Sequence, residues 1–348
     1  MPISTALDKT RADLAEPISR RDVVALLRDS AIRVVQTSSP ISVASWTRLD
    51  AELFSQRPEI QLRVYGFNSS ECDLSFARAM NNVRHFAADC LRKARNVDSV
   101  AAIPALESLS IGIFELESFC FLEGVSPNLS RLFLGATRSK KPSLEPLARL
   151  TNLRELYLEG QQKEIEILSD LITLQDLTLR SIVTPNLEYI ADLPALWSLD
   201  IKLGGIRDLS ATSKVKSLKY LELWQIRGLE DVSVISGLSS LQNLFLQSLS
   251  RVISMPRLER CESLRRIVLQ NMRGLKDLSA LQFAPALEEF LLLQGEASKP
   301  DDLAPVLRNP RLVRAGAFFG SNAKNNEFQS MLRSTGRSTF ERTPFEYR

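Results

Sequence analysis

Leu218-Lys219-Tyr220-Leu221-Glu222-Leu223 sets out a frame, L-x-x-L-x-L, that decides how the rest of the chain is read. The same frame stands at Leu106/Leu109/Ile111, Leu129/Leu132/Leu134, Leu153/Leu156/Leu158, Leu174/Leu177/Leu179 and Leu196/Leu199/Ile201. Beyond Leu218 it returns at Leu241/Leu244/Leu246, Leu264/Ile267/Leu269 and Leu287/Phe290/Leu292, and in weakened form at Leu312/Ala315/Ala317. First positions lie 21 to 25 residues apart, too regular for chance. A fixed period of this length means stacked supersecondary units, none of which buries its apolar face alone. Two weaker frames, Leu62/Tyr65/Phe67 and Val83/Phe86/Ala88, keep the register upstream and bring the number of copies to twelve.

Alternate residues of a strand face opposite ways, so the leucines of each frame point inward and the residues between them point out. The other half of each copy has about a dozen residues in which to return. Its signature is Asp208-Leu-Ser210, Asp231-Val-Ser233 and Asp277-Leu-Ser279, with Pro194, Pro256 and Pro285 nearby. Asp and Ser bond locally to backbone and Pro blocks long helices, so short turns or 3₁₀ pieces are predicted there.

Upstream, Ser19-Arg-Arg-Asp22 reads as a capping box that opens a helix over about 20–29. Ile32 to Val35 reads as a strand, and Trp46, Leu49, Leu53 and Phe54 form the stripe of a helix closed by Pro58. The expected division is a helical N-terminal cap over 1–59, the repeats over 60–319, and a C-terminal cap and tail over 320–348. Arg333 to Arg348 is polar and reads as loosely ordered.

Lys plus Arg 44 against Asp plus Glu 41 leaves a net charge of +3, and the signs are interspersed, so neither a nucleic-acid nor a membrane partner is expected. The basic run Arg138-Ser-Lys140-Lys141 reads as a solvated loop. Met1 to Asp22 lacks the apolar core of a secretory signal and no run reaches the length of a membrane span, so a soluble, cytoplasmic protein is expected. Asn68-Ser-Ser70 and Asn128-Leu-Ser130 match the glycosylation pattern, which has no meaning without secretion. Cys72, Cys90, Cys120 and Cys261 are far apart, which suits reduced and mostly packed thiols better than disulfides or a zinc site.

The repeat frame and its D-L-S turns resemble leucine-rich-repeat proteins of the bacterial internalin-like or SDS22-like type. The resemblance runs over roughly residues 60 to 320. It implies a β-rich α/β solenoid, a horseshoe with parallel strands on the concave face and short turns on the convex face. That family places Asn eight residues after the first Leu; here the positions hold Phe114, Thr137, Gln161, Ile182, Gly204, Ile226, Leu249, Met272 and Gly295. Ile182, Ile226, Leu249 and Met272 are expected to fill the core where the amide would have tied down the turn.

The fifth frame position runs Gly66, Ala87, Ser110, Phe133, Tyr157, Thr178, Asp200, Glu222, Phe245, Val268, Leu291 and Gly316. The third position adds Arg131, Glu155, Asp176, Tyr220, Asn243 and Arg266, and the seventh Glu159, Arg180, Lys202, Trp224 and Gln247. No core requirement explains aromatics there, and exposed rings among charges have the composition of interface hot spots. Phe133, Tyr157, Tyr220, Trp224 and Phe245 are therefore the expected anchors of a protein partner, unless they only pack rung to rung. Arg131, Glu155, Glu159, Asp176, Arg180, Asp200, Lys202, Glu222 and Arg266 would surround them. Adjacent copies should set Arg131 beside Glu155 as an ion pair, and Lys202 beside Trp224 as a cation–π contact.

Asp200 and Glu222 become neighbouring carboxylates, which a glycosidase would use. An open surface on which both stay hydrated argues against that, so no catalytic residue is assigned. His85 is the sole histidine and reads as an exposed residue of an early strand; no G-x-S-x-G, phosphate loop or G-x-G-x-x-G accompanies it, and Gly204-Gly205 reads as a turn. No cofactor or metal is expected. The leading expectation is a monomeric, non-catalytic scaffold that binds a protein on its concave face, as an adaptor, immunity-type or effector-type protein. The alternative is a carbohydrate-binding or hydrolytic protein built on Asp200, Glu222, Tyr157 and Trp224.

Overall fold

The structure is a computed structural model that describes residues 3–5, 9–67, 71–139 and 142–348. The acceptor motif at Asn68 and the lysines of the basic run, Lys140 and Lys141, lie outside the described residues. The chain forms two compact units, Met1–Leu174 and Gln175–Arg348, divided inside the run of repeats.

In the first unit the strands are β1 (Ile3–Thr5), β2 (Arg11–Leu14), β3 (Val34–Thr37), β4 (Gln61–Tyr65), β5 (Cys72–Asp73), β6 (His85–Leu91), β7 (Ala94–Arg95), β8 (Ser108–Ile113), β9 (Arg131–Leu134) and β10 (Glu155–Glu159). β1 joins β2 antiparallel; from β2 the ladder is parallel through β3, β4, β6, β8, β9 and β10, while β5 and β7 pair separately. Helix α1 (Arg20–Arg28) starts at the expected capping box: Asp22 N–H donates to Ser19 Oγ at 3.3 Å and Ser19 N–H to Asp22 Oδ2 at 2.7 Å. Helix α2 (Val43–Leu49) widens into a π turn over Asp50–Phe54 and buries Trp46, Leu49, Leu53 and Phe54, with Trp46 stacked on Phe76 at 4.3 Å. Residues 1–59 thus hold strands as well as helices, and parallel pairing begins at β2 because Ala12, Leu14 and Val35 supply inward side chains.

One frame is displaced from its expected position. Leu62 pairs with Phe86 and Val64 with Ala88, so Leu62 and Val64 occupy the inward positions of β4 and Tyr65 does not. Arg63, not Gly66, stands in the outward middle row. The reason is chemical: Tyr65 carries its hydroxyl to Asp13 Oδ1 at 2.8 Å, which an inward ring could not do.

In the second unit β11 (Asp176–Arg180), β12 (Ser198–Lys202), β13 (Tyr220–Trp224), β14 (Asn243–Gln247), β15 (Arg266–Gln270), β16 (Glu289–Leu293), β17 (Arg314–Ala317) and β18 (Ser338–Thr339) pair in order, all parallel. Helices α3 (Ala304–Leu307) and α4 (Asn322–Ser334) follow β16 and β17. Leu218, Leu221 and Leu223 and their equivalents in the other frames are buried. Ile182, Ile226, Leu249 and Met272 are buried as expected, whereas Phe114 is exposed. Gln161, fully buried, keeps the amide role: its Nε2 donates to Gly135 O at 2.8 Å and its Oε1 accepts from Glu159 N–H at 3.1 Å.

Most return runs carry a short 3₁₀ turn, and several of these are opened by local side-chain bonding. Asp208, Asp231 and Asp277 accept from the N–H of Ser210, Ser233 and Ser279 at 2.7 to 2.8 Å. The strands end with a second device. The residue just past the strand is left-handed at Ser181, Leu203, Gln225, Ser248, Asn271 and Gln294, with φ between 50° and 57°. That conformation swings the chain out of the sheet, at a steric cost for residues that carry a Cβ. Gly204 follows one of these corners, and it is glycine because a Cβ would meet Ile182 O at 2.4 Å.

Gln225 is exposed and left-handed, so backbone strain is isolated there from packing. Chemical denaturation should show Gln225→Gly neutral to about 1 kcal/mol more stable and Gln225→Val less stable by about 1 kcal/mol or more. Equal effects of the two substitutions would mean that the corner does not constrain the repeat.

Candidate partner-binding face

Cα pairing confirms the outward rows within each unit. In the first unit Ser110, Phe133 and Tyr157 stand side by side, and the row runs back through Ala87, Arg63 and Gln36 to Asp13. Phe133 and Tyr157 are stacked with ring centroids 3.9 Å apart, so this pair does pack rung to rung while each ring stays half-buried. Glu155 is in register with Arg131, but the expected ion pair does not form. Arg131 turns its guanidinium to His85 Nδ1 at 3.4 Å. His85 is half-buried rather than exposed, and burial followed by the nearby Arg131 charge lowers its pKa. Glu159 Oε2 accepts from the Tyr157 hydroxyl at 3.4 Å.

Upstream of these rings lies a polar chain that the sequence did not disclose. Gln36 Nε2 donates to Asp13 Oδ1 at 2.9 Å, Arg63 Nη1 donates to Gln36 Oε1 at 2.9 Å, and Arg63 pairs with Asp89 at 2.6 Å. Arg63 also lies over the Tyr65 ring at 4.6 Å.

In the second unit the middle row runs Thr178, Asp200, Glu222, Phe245, Val268, Leu291 and Gly316. Arg180 and Lys202 are in register in the seventh row, as are Asp176 and Ser198 in the third. Lys202 is in register with Trp224, yet its ammonium turns to the carboxylates, 2.9 Å from Asp200 and 3.3 Å from Glu222. A paired carboxylate attracts an ammonium more strongly than a ring face does, which is why the expected cation–π contact gives way. Tyr220 OH donates to Glu222 Oε2 at 2.9 Å. The carboxylates are not hydrated as expected: Glu222 is buried and Asp200 is largely so. Burial first, and then the Glu222 charge, push the Asp200 pKa up to about 6, against the pull of Lys202. Trp224 and Phe245 are half-buried on the outward side.

The last residues of the chain overturn the expectation of a loose tail. After β18, residues 340–348 cross the strand starts of β12 to β16. Arg266 Nη1 donates to Thr343 O at 3.2 Å, Arg265 Nη2 donates to Glu346 O, and Gln242 Nε2 donates to Arg348 O at 2.6 Å. Arg265 lies over the Phe345 ring at 4.6 Å, Arg266 over Phe340 at 5.3 Å and Phe345 at 5.0 Å, and Trp197 meets Tyr347 edge-on at 5.0 Å. Under this cover Gln242, Asn243, Arg265, Arg266 and Glu289 are all less than 10% exposed, with Arg266 and Glu289 paired at 2.5 Å. Arg266 is therefore already engaged within the chain.

No protein-family model matches the chain, and no curated protein matches it. Among solved structures it is similar to an internalin (inlF) from Listeria monocytogenes, with a TM-score of 0.57 at 19% identity over 88% of this chain and 86% of that one. It is also similar to TLR13 in its complex with ssRNA13, with a TM-score of 0.60 at 17% identity over 89% of this chain, which spans about half of that one, 50%. The chain has the leucine-rich-repeat fold. A leucine-rich repeat leaves outward strand positions free of core duty, and it is there that Phe133, Tyr157, Tyr220, Trp224 and Phe245 stand.

Sequence reasoning missed Trp197, Gln242 and Arg265, which precede the outward rows, together with Phe345 and Tyr347. A signal was present: residues 340–348 carry three aromatic side chains, Phe340, Phe345 and Tyr347, too many for a segment of disordered composition. Among the described residues no helix is long and apolar enough to cross a membrane. Cys72 and Cys261 are buried, with thiol pKa values raised by burial to about 12 and about 11, while Cys90 and Cys120 are exposed rather than packed.

Asp200 gives a pH test. Its folded pKa of about 6 lies above the unfolded value near 3.8, so its contribution is fully present below about pH 4 and is lost as pH rises through 6. Thermal melts of Asp200→Asn and the unaltered chain should agree near pH 4. They should diverge toward pH 7.5, with the variant more stable by on the order of 2 kcal/mol. A variant less stable at pH 7.5 would show that the Lys202 pair outweighs burial.

Proposed function

We propose that this chain is a non-catalytic module that binds protein at the outward strand positions of its repeats, as an adaptor, immunity-type or effector-type protein. One observation carries the reading: aromatic and charged side chains project, half-exposed, at matched register from consecutive strands whose backbones are fixed by the parallel ladder. Trp and Tyr bury large area at low rotamer cost, and a ladder that does not move on binding keeps that cost low. Tyr157 in the first unit, and Trp224 with Phe245 in the second, are the anchors in this proposal. Arg131, Glu155, Glu159, Asp176, Arg180, Asp200, Lys202, Tyr220 and Glu222 are the surround. The net charge of +3, spread over both signs, favours a protein over a nucleic acid. The four free thiols suit a reducing compartment, which supports a cytoplasmic location.

A second reading rests on Asp200, whose raised pKa is what a general acid requires. In it the chain binds or hydrolyses a carbohydrate with Asp200 and Glu222. Against this, the Lys202 ammonium holds both carboxylates and the Tyr220 hydroxyl bonds to Glu222, so each has its charge committed internally.

Affinity capture followed by mass spectrometry tests the choice. A protein partner should be retained by the unaltered chain and lost, with affinity reduced about tenfold or more, on Trp224→Ala or Tyr157→Ala at unchanged melting temperature. Capture that survives both substitutions would overturn the protein-binding reading. Retention on a glycan array, abolished by Asp200→Asn, would establish the second.

A further inference from the structure

Residues 340–348 are bound much as a separate peptide would be bound. Residues 341–344 and 346–348 are exposed, and only Phe340 and Phe345 are partly covered. The segment adds nothing to the leucine core; beyond the Phe340 N–H, which donates to Ala315 O at 2.9 Å, its contacts include the backbone bonds from Arg265, Arg266 and Gln242, the ring contacts of Phe340, Phe345 and Tyr347, and an ion pair of Arg348 with Glu288 at 3.8 Å. Arg348 N–H also donates to Gln242 Oε1 at 2.9 Å, so the Gln242 amide grips one residue from both sides. Side chains that read backbone, with separate seats for alternate residues, are how an extended peptide is recognised.

The seats are built from the second unit's own strands, and they are unusual for the surface. Arg265 and Arg266 are buried beneath rings rather than solvated, and the Asn243 Oδ1 acceptor beside Tyr347 has no hydrogen-bond partner. The Asn243 Nδ2 contact to Tyr347 OH is long, 3.4 Å, and Tyr347 remains 37% exposed. The resident segment therefore fills the seats without satisfying all of them.

We propose that the strand starts of β12 to β16 form a docking groove for an extended partner segment of the pattern aromatic-x-aromatic-basic, and that residues 345–348 hold this groove in cis as its competitor. Phe345, Tyr347 and Arg348 show what each seat accepts: a ring under Arg265, a ring against Trp197, and a cation at Glu288. This rests on the protein-binding reading above and names the chemistry of one segment of that partner. A tethered segment competes at an effective concentration that reaches the millimolar range for short linkers, so a free peptide meets an occupied groove.

The test uses the full chain and a fluorescein-labelled synthetic peptide with the sequence of residues 338–348. The full chain carrying Phe345→Ala and Tyr347→Ala should bind the peptide saturably, about tenfold or more tighter than the unaltered chain does. Adding Arg265→Ala or Trp197→Ala to that variant should remove the gain, and a scrambled peptide should not bind. In the unaltered chain, excess unlabelled peptide should accelerate amide exchange of Arg348, whose N–H donates to Gln242, by displacing it, which reads the same groove where a variant fails to fold. Absence of saturable binding by a folded tail variant, or an Arg348 amide whose exchange ignores excess peptide, would overturn the proposal. Partner capture that still depends on Trp224 and Tyr157 in that case would leave the broader reading standing. Binding that produces dimers through exchange of tails between two copies would identify the segment's occupant as a second copy and overturn the partner assignment.

Discussion

A strand in a parallel stack carries backbone donors and acceptors on both edges, and only the copies before and after it can pair them. That constraint explains the spacing of the whole chain. Each repeat must leave its strand, cross back, and re-enter in register within 21 to 25 residues. Left-handed corners at Leu203, Gln225 and Ser248 end the strands, and aspartate-nucleated 3₁₀ turns at Asp208, Asp231 and Asp277 begin the return. A long helix would not fit the return, and a wider corner would lose the register. The ladder's last edge is managed as well: β17 meets only two residues of β18, and α4 closes that end by packing Phe328 edge-on to Phe319, 6.2 Å between ring centroids.

Because inward positions are committed to leucine, variation is pushed outward. The first unit spends its outward positions on the Asp13, Gln36, Arg63, Asp89 chain and on the stacked Phe133 and Tyr157. The second unit sets two carboxylates around one ammonium at Asp200, Lys202 and Glu222, and sinks the Arg266 and Glu289 pair beneath its own terminal segment. Buried ion pairs contribute little to stability unless their remaining bonds are satisfied, so these arrangements are better explained by what they position than by what they stabilise.

The period, the inward leucines, the apolar residues that replace the family amide and the 3₁₀ turns were all legible, because each is local or repeats along one chain. Tyr65 misled the reading of the first frame, since an aromatic at an L position looks like core until its hydroxyl is seen on Asp13. Register predicted that Arg131 would lie beside Glu155 and Lys202 beside Trp224, and both alignments occur. It could not predict where a long side chain turns, and both cations chose other partners. The engagement of Arg266 was illegible for another reason. The terminal segment reaches Gln242 across 106 residues of sequence, and no period relates the two.

Thiol accessibility along one strand tests the alternation most directly. In a background of Cys90→Ser and Cys120→Ser, single cysteines placed at Leu244, Phe245, Leu246 and Gln247 of β14 would be followed by their labelling rates under native conditions. Cysteines at 245 and 247 should label at the rate of exposed thiols, while those at 244 and 246 label only through unfolding of the stack. Rapid labelling at 244 or 246, or protection at 245 and 247, would contradict the assignment of leucines to the core and of the intervening side chains to the binding face.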